Sequence, residues 1–533
     1  MSANFLIAEI PIGQDGFNGH DNKSLIPVTA LLEANNITLE RGLLQKDGGA
    51  ALYTTTTPAL ATDVKIIGGF DWIPSGSTQT PVLFLVSGTV KRDDGTGAYP
   101  TTMATALTGV TTPQFVEGGK EAAGRSRKMF IFTGVQPVQV MATTSLLATM
   151  SQPAADWLVT AGGAPPAFGL VHEQRLWAGG NSNDPHRLYY STASDHENVS
   201  GGGSLSIFPG EGERLVGAIS FKKVLVAFKR PRGIYFVDTS DPTASNWKVY
   251  RHNANVGLAG KRAITQVDLP DHDDVLFLDS TGLFRLLSQV SDESYGTREI
   301  SSPAGMDVWM RANANFSALE NARMVFYPAK REVHCAIPEG SATALSERIV
   351  IDLNRPGAVR YRLNDRDTAI GDLWLQRDSL GVDRLTMGDE TGRVYRLDQE
   401  TRAKAGVAYL GQFQTPHHDF GFVDSSLSLR RKRFKFVEIE HIESGNHELL
   451  MDVYIDERYS ETISFNMGSL GDEFTYTFPL VFRAEGRIRR KRRRIRGSGY
   501  RISLVGRNDG AAEDFKITRM FIGFSPANQE LPI

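Results

Sequence analysis

The chain has 533 residues, with 58 Lys and Arg against 61 Asp and Glu, a formal charge of −3. That balance excludes a strongly basic nucleic-acid binder and an acidic disordered chain. At roughly 150 residues per domain the length points to two to four domains. Gly numbers 52, about a tenth where ~7% is usual, while Pro is an ordinary 24, so many tight turns are expected rather than low complexity. Cys335 is the one cysteine, which excludes an internal disulfide and a cysteine-based zinc site. The opening MSANFLIAEIPIG has no basic n-region and no small-residue cleavage site, and no apolar run approaches the ~18 residues that span a bilayer. The expectation is a soluble chain made in a reducing compartment, without membrane insertion.

Residues 1–50 read as an extended segment entering a larger repeat. Pro11 to Gly19 is turn-rich, Val28–Ala34 is a short helical candidate, and Asn35 to Ala50 reads as a strand pair. A unit of apolar β run, Gly-centred turn and second β run then recurs. Its copies start at Val82, Met129, Arg175, Val224, Val275, Glu332 and Arg384. Gly88, Gly134, Gly233, Gly282 and Gly392 stand where a hairpin needs φ > 0. The first run of most copies is nearly all apolar, as in a strand buried on both faces. Seven hairpin units about 50 residues apart predict a β-propeller of about seven blades over residues 51–415. A pair of unrelated β-sandwiches is the structural alternative.

Near residue 416 the repeat stops. FKFVEIEHI, ELLMDVYID, ETISFNM, EFTYTFPLVF, YRISLVG and FKITRMFIGF follow, separated by turn residues, and predict a β-sandwich-like domain over 416–533. All six tryptophans precede the boundary. From Arg430 onward 19 basic side chains face 15 acidic ones, a net +4, which leaves −3 − 4 = −7 for the rest.

Sites of chemistry are scarce. GLAGKRA has the Gly260–Lys261 pair of a phosphate loop, but Asn255 stands in place of the first Gly and Arg262 in place of the hydroxyl residue. The neighbours His417, His418 and Asp419 point in opposite directions if extended. His272 with Asp271, Asp273 and Asp274 reads as a solvated turn. No nucleophile elbow is present. Paired carboxylates from different blades would leave no local signature. LDSTGLF (Leu278–Phe284) and GDETGRV (Gly388–Val394) faintly resemble the Asp hairpins of sialidase propellers, without the trailing Thr-Trp. Cys335, in EVHCAIP, reads as a packing residue. The expectation is no enzyme, no cofactor and no metal.

The conspicuous local feature is basic: Arg487, Arg489, Arg490, Lys491, Arg492, Arg493, Arg494 and Arg496, eight charges in ten residues. At ~4–7 Å separations these groups repel unless solvated or matched by acidic partners. Three readings are open: contact with a protein partner or subunit, a solvated loop, or contact with DNA phosphates. Aromatics do not interleave the run, so base stacking is not implied.

Three stretches carry a family resemblance. LLEANNITLERGLLQKDGGA has an Asn-led strand followed by a Gly turn, a basic residue and Gly. QRLWAGGNSNDPHRLYYSTASD, residues 174–195, has an Arg-Leu strand and then a Tyr-Ser strand leading to Asp. GQFQTPHHDFG followed by KRFKFVEIEHIESGNHELLMDVYID marks the passage to the C-terminal part. With the repeat, these resemble the tail nozzle proteins of short-tailed bacteriophages. The resemblance is spread over most of the chain and is architectural. It implies a virion tail component assembled in the host cytoplasm: a homo-oligomeric, hexameric ring beneath the portal or adaptor proteins. Such a ring holds tail fibre or plug proteins and lets double-stranded DNA pass during ejection. A net −7 over the main body suits a lumen that must not retain phosphate, and the basic run is the departure. Two other classes stand beside this one: a host-glycan-binding propeller and a propeller glycoside hydrolase.

Overall fold

The computed structural model describes the chain apart from residues 1–4, 21–22, 24–25, 55–63, 74–79, 121–125, 142–146, 151–156, 159–161, 212, 288, 292–293, 356–357, 368, 469–487 and 531–533. Strand accounts for 53% and helix for 6%. Six four-stranded antiparallel sheets, with four further antiparallel strands that belong to a nine-stranded sheet, follow one another and make a seven-bladed β-propeller. Blade 1 runs from Ile66–Trp72 through Thr80–Leu85 and Val90–Arg92 to Thr101–Ala104. Blades 2 to 6 begin with Gln114–Lys120, Phe168–His172, Arg214–Phe221, Ile264–Asp268 and Arg323–Tyr327. Blade 7 has Ile370–Arg377, Asp383–Asp389 and Val394–Gln399, and its fourth strand is Gly49–Leu52 from the far end of the chain.

The apolar run of each repeat copy is the second strand of its blade. In Thr80–Leu85 every residue is buried, because a strand inside a propeller is covered by a blade on either side. Gly88, Gly134, Gly233, Gly282 and Gly392 all sit at positive φ, between 76° and 114°. The core is a series of wedges between neighbouring blades: Phe84, Met129 and Ile131 between blades 1 and 2, for example, and Leu373, Leu385 and Tyr327 between 6 and 7. Ring closure is tight. A Cβ on Gly69 would meet the Trp374 ring at 2.3 Å, so blade 1 approaches blade 7 only because that residue is Gly.

Beyond the propeller, two sheets face each other across a shared apolar core that includes Val437, Ile439, Met451, Val453, Leu504 and Ile522. One sheet contains Ile37–Thr38, Leu44–Lys46, Lys516–Glu530, Arg430–Ile442 and Ile488–Gly499, with Leu6–Ile10 added beside Lys516–Glu530. The other, Gly411–Gln414, Ile502–Asn508, Glu448–Ile455 and Arg458–Asn466, continues without a break into blade 6. Glu33–Asn35 is the bridging strand, antiparallel to Gly411–Gln414 and parallel to Ala358–Asn364 of blade 6. The first fifty residues therefore do more than lead into the propeller. They supply strands to both sandwich sheets before Gly49–Leu52 completes blade 7.

Two readings of local structure need correction. Val28–Ala34 is not helical. It is a turn leading to the bridging strand, whose Ala34 is fully buried and thus has no solvated helix face. A helix does occur at Met306–Asn313, in the longest gap of the repeat, with Met306 and Met310 buried one turn apart. The run EFTYTFPLVF lies entirely outside the described residues.

At the seam between propeller and sandwich lies a buried network of charges. Arg362 donates to both oxygens of Glu332, at 2.9 and 2.7 Å. Arg348 donates to Asp367, at 3.0 and 2.8 Å, and contacts His334 Nδ1 at 2.7 Å. Asp47, from the N-terminal segment, accepts from Asn364 at 2.8 Å and faces Arg362 and Arg366 at 4.0 and 3.8 Å. Burial raises the Asp47 carboxyl, but the Arg362 and Arg366 guanidiniums outweigh it and hold the group below the usual range.

Candidate functional site

The basic run is a strand, Ile488–Gly499, so the solvated-loop reading of its conformation does not hold; Arg487 lies outside the described residues. Pairing imposes the strand. Backbone bonds along Arg430–Ile442 fix the register, from Phe436 opposite Arg494 to Ile442 opposite Ile488. Ile495 is 2% exposed and anchors the inward side. Among the described residues its sheet partners lie on one side only, so there it is an edge strand. Charged side chains on such an edge oppose the addition of a foreign strand.

Alternation sends the charges to two faces. Arg490, Arg492 and Arg494 lie on the outer face. Opposite residues of an antiparallel ladder share a face, so each heads a row. Arg490 aligns with Glu440 and Arg519, Arg492 with Glu438, Phe521 and Glu9, and Arg494 with Phe436, Gly523 and Ile7. Arg492 lies 3.9 Å above the Phe436 ring and Arg490 5.5 Å above the Phe521 ring. Ile7 is half-exposed beside them, as is Phe5, whose ring is 5.5 Å from that of Phe436. The surface is thus an arginine comb laid over aromatic rings with an apolar border.

Part of the charge is matched inside the chain. Arg489 pairs with Glu443 at 2.7 Å, Arg490 with Glu440 at 2.9 Å and Arg492 with Glu438 at 2.6 Å. On the inward face, Lys491 donates to the carbonyls of Asn466 and Gly468, and Arg493 to that of Ser464 at 2.7 Å. Arg494 and Arg496 are exposed, and their guanidiniums have no carboxylate partner among the described residues, although Arg496 N donates to Glu461 at 2.6 Å. Repulsion along the run is therefore relieved locally by three glutamates, a solution invisible without the register. The arginines of these pairs are exposed while the glutamates are largely buried, 12–14% exposed, so each pair contributes about 1 kcal/mol.

The other sequence candidates are dispersed or structural. His418 is buried against Phe420 and Phe422, its ring held near pKa 4 by desolvation, while His417 is only half-buried. His272 pairs with Asp271 at 2.9 Å in a partly exposed turn. Among the described residues no cluster of three or more His, Cys, Asp or Glu could hold a metal. The Asp hairpins are local turns: Asp279 accepts from Thr281 and Leu283, and Asp389 from Thr391 and Arg393. Cys335 is fully buried in blade 6, and desolvation pushes its thiol far above the ordinary value. The propeller axis is lined by the first strands of all seven blades, and Glu117 is the one carboxylate among the described residues of that lining. Lys261 and Arg262, of the rejected phosphate-loop motif, both stand on this axis.

No family model matches the chain, and no curated protein matches it. Solved structures similar to it include BBS1N in complex with ARL6DN (9% identity, TM-score 0.39, covering 66% of this chain and 96% of that one). YCF48 bound to D1 peptide is another (10%, TM-score 0.37, 66% and 95%). A third is the WD40 domain of Toxoplasma gondii coronin (12%, TM-score 0.34, 68% and 88%). The propeller assignment stands on strand order and pairing, and these likenesses are too distant to bear on function.

Proposed function

We propose that this chain is a structural subunit of a bacteriophage tail. In this reading it is a nozzle protein that assembles into a ring below the portal and adaptor, conducts genomic DNA and anchors fibres or a plug. The observation that carries this reading is the role of residues 31–50, where part of the family resemblance lies. Glu33–Asn35 bridges blade 6 to the sandwich, Asp47 enters the buried charge network, and Gly49–Leu52 closes blade 7. A continuous nine-stranded sheet and a shared charge network join the two parts as one stiff unit. Stiffness across a seam suits a subunit that transmits load within a ring. The comb of Arg490, Arg492 and Arg494 is the surface through which it meets an acidic face of a neighbouring subunit or tail protein.

The test is binding to a purified portal–adaptor complex from particles lacking the lower tail, followed by sedimentation at several salt concentrations. Stoichiometric, salt-sensitive binding is expected, weakened when Arg490, Arg492 and Arg494 are replaced by Ser. Absence of binding at every salt concentration would overturn the reading.

One observation favours a second reading, glycan binding. Partly exposed Tyr190 and Trp247 stack within 4.9–5.3 Å of each other and of buried Trp177, under Arg175, on blades 3 and 4. A glycan array probed with wild type and with Trp247→Ala distinguishes it.

A further inference from the structure

The axial cavity holds an electrostatic imbalance that the tail reading does not use. A cavity of about 550 Å³ follows the propeller axis, and a second of about 550 Å³ opens between blades 2, 3, 4 and 5. Lys261 belongs to both linings. It arrives there on the loop between blades 4 and 5, next to Arg262.

Asp372 is the anionic centre of this end of the axis. It is fully buried and accepts from Gly69 N at 2.7 Å and from Arg262 Nη1 at 2.7 Å, with Arg323 Nε at 3.4 Å. One carboxylate thus serves two guanidiniums and ties blades 1, 5, 6 and 7 together. Lys261 receives none of it. Its ammonium donates to the Ala167 carbonyl at 2.8 Å and has no ion-pair partner among the described residues. Desolvation, followed by repulsion from Arg323 and Arg262, pushes the Lys261 ammonium down to about 7. At the outer cavity the pattern repeats: Arg214 and Arg230 share one carboxylate, Glu320. Five cations therefore stand against three carboxylates, Asp372, Glu320 and Glu117, in a chain whose net charge is negative. A donor on the axial lining adds to this: Trp374 Nε1 is buried without a hydrogen-bond partner in the protein.

Lys261 is partly buried, and an ammonium drawn partly out of water without a counter-ion is stabilised when an anion joins it. We propose that the junction of the two cavities is a binding site for a small oxyanion of the phosphate or sulfate class. The ammonium of Lys261 is its direct ligand, and the Arg262–Asp372–Arg323 and Arg214–Glu320–Arg230 clusters supply the excess positive potential.

 The oxyanion site stands or falls separately from the tail reading, since neither residue set contributes to the other.

The test is isothermal titration of the full chain with sodium sulfate and then with inorganic phosphate, in chloride buffer at fixed ionic strength. One saturable site is expected, with Kd at or below about 1 mM. Binding should be at least tenfold weaker in Lys261→Met and largely restored in Lys261→Arg. Heats that stay linear to about 10 mM of both anions would overturn the proposal, as would Lys261→Met binding like wild type. If Lys261→Met does not fold, the wild-type isotherm decides between these outcomes. An acidic peptide that binds while neither inorganic anion does would also overturn it, by replacing the small oxyanion with a protein segment.

Discussion

Breaking the seam network at Arg362 gives the sharpest energetic expectation. Arg362 and Glu332 are 6% and 5% exposed and joined by two bonds of 2.9 and 2.7 Å. Replacing Arg362 by Met leaves Glu332 buried with only His334 near it, at 3.5 Å, and removes one of the two guanidiniums facing Asp47. Breaking one side of a buried pair costs about 3–5 kcal/mol, whereas replacing both partners by apolar side chains is often close to neutral. The double variant Arg362→Met/Glu332→Met should therefore be more stable than the single one, although Asp47 still loses a partner. All six tryptophans lie before residue 416, so their fluorescence in a urea titration follows the propeller. With a slope of about 3 kcal/mol/M, the single variant should lose about 1–1.7 M in midpoint. The acid limb adds a second readout. Burial raises the Glu332 carboxyl, but Arg362 outweighs it and holds the group at about 2. A depressed carboxylate stabilises the fold above its unfolded value of about 4.5 and loses that contribution as pH falls through about 2. Wild type should lose stability across that window more steeply than the double variant. A single variant within about 0.5 kcal/mol of wild type, or a double variant as unstable as the single, would refute the reasoning.

Glu347 predicts the opposite pH dependence. Burial, with Glu339 and Asp365 nearby, pushes its carboxyl up to about 8, so stability should fall as pH rises from about 4.5 through 8. Glu347→Gln should flatten that decline, as measured by urea midpoints at pH 5 and 8. Gly69→Ala drives a methyl into the Trp374 ring and should lower the thermal midpoint by several degrees, seen by calorimetry. Replacing Arg490, Arg492 and Arg494 by Ser should weaken assembly more than it lowers the urea midpoint, although Glu438 and Glu440, largely buried, each lose a partner. Cys335→Ala should assemble as wild type does, at a folding cost of about 1 kcal/mol for the small cavity.

Much of the propeller was legible because its signal is local. Each blade carries its own apolar run and a glycine at positive φ, and neither depends on distant residues. Closure was not legible. Gly49–Leu52 pairs with Val394–Gln399 across more than three hundred residues, and nothing in GAAL distinguishes it from any short strand. The helix Met306–Asn313 was missed, though the Met306–Met310 spacing was a weak sign of it. The basic run was conspicuous, but its conformation and its three glutamate partners follow from register alone. The seam network draws Asp47, Glu332, Arg348, Arg362 and Asp367 from separate segments, so no motif announces it. Lys261 shows the converse: its motif is wrong for a phosphate loop, and only the fold places it on the axis.

The central claim is that this chain builds a ring, and particle imaging of the purified protein, paired with a mass measurement, tests it most directly. The account predicts closed rings of about six copies with a central channel, formed alone or on the adaptor. A chain that stays monomeric both alone and with the adaptor would contradict it.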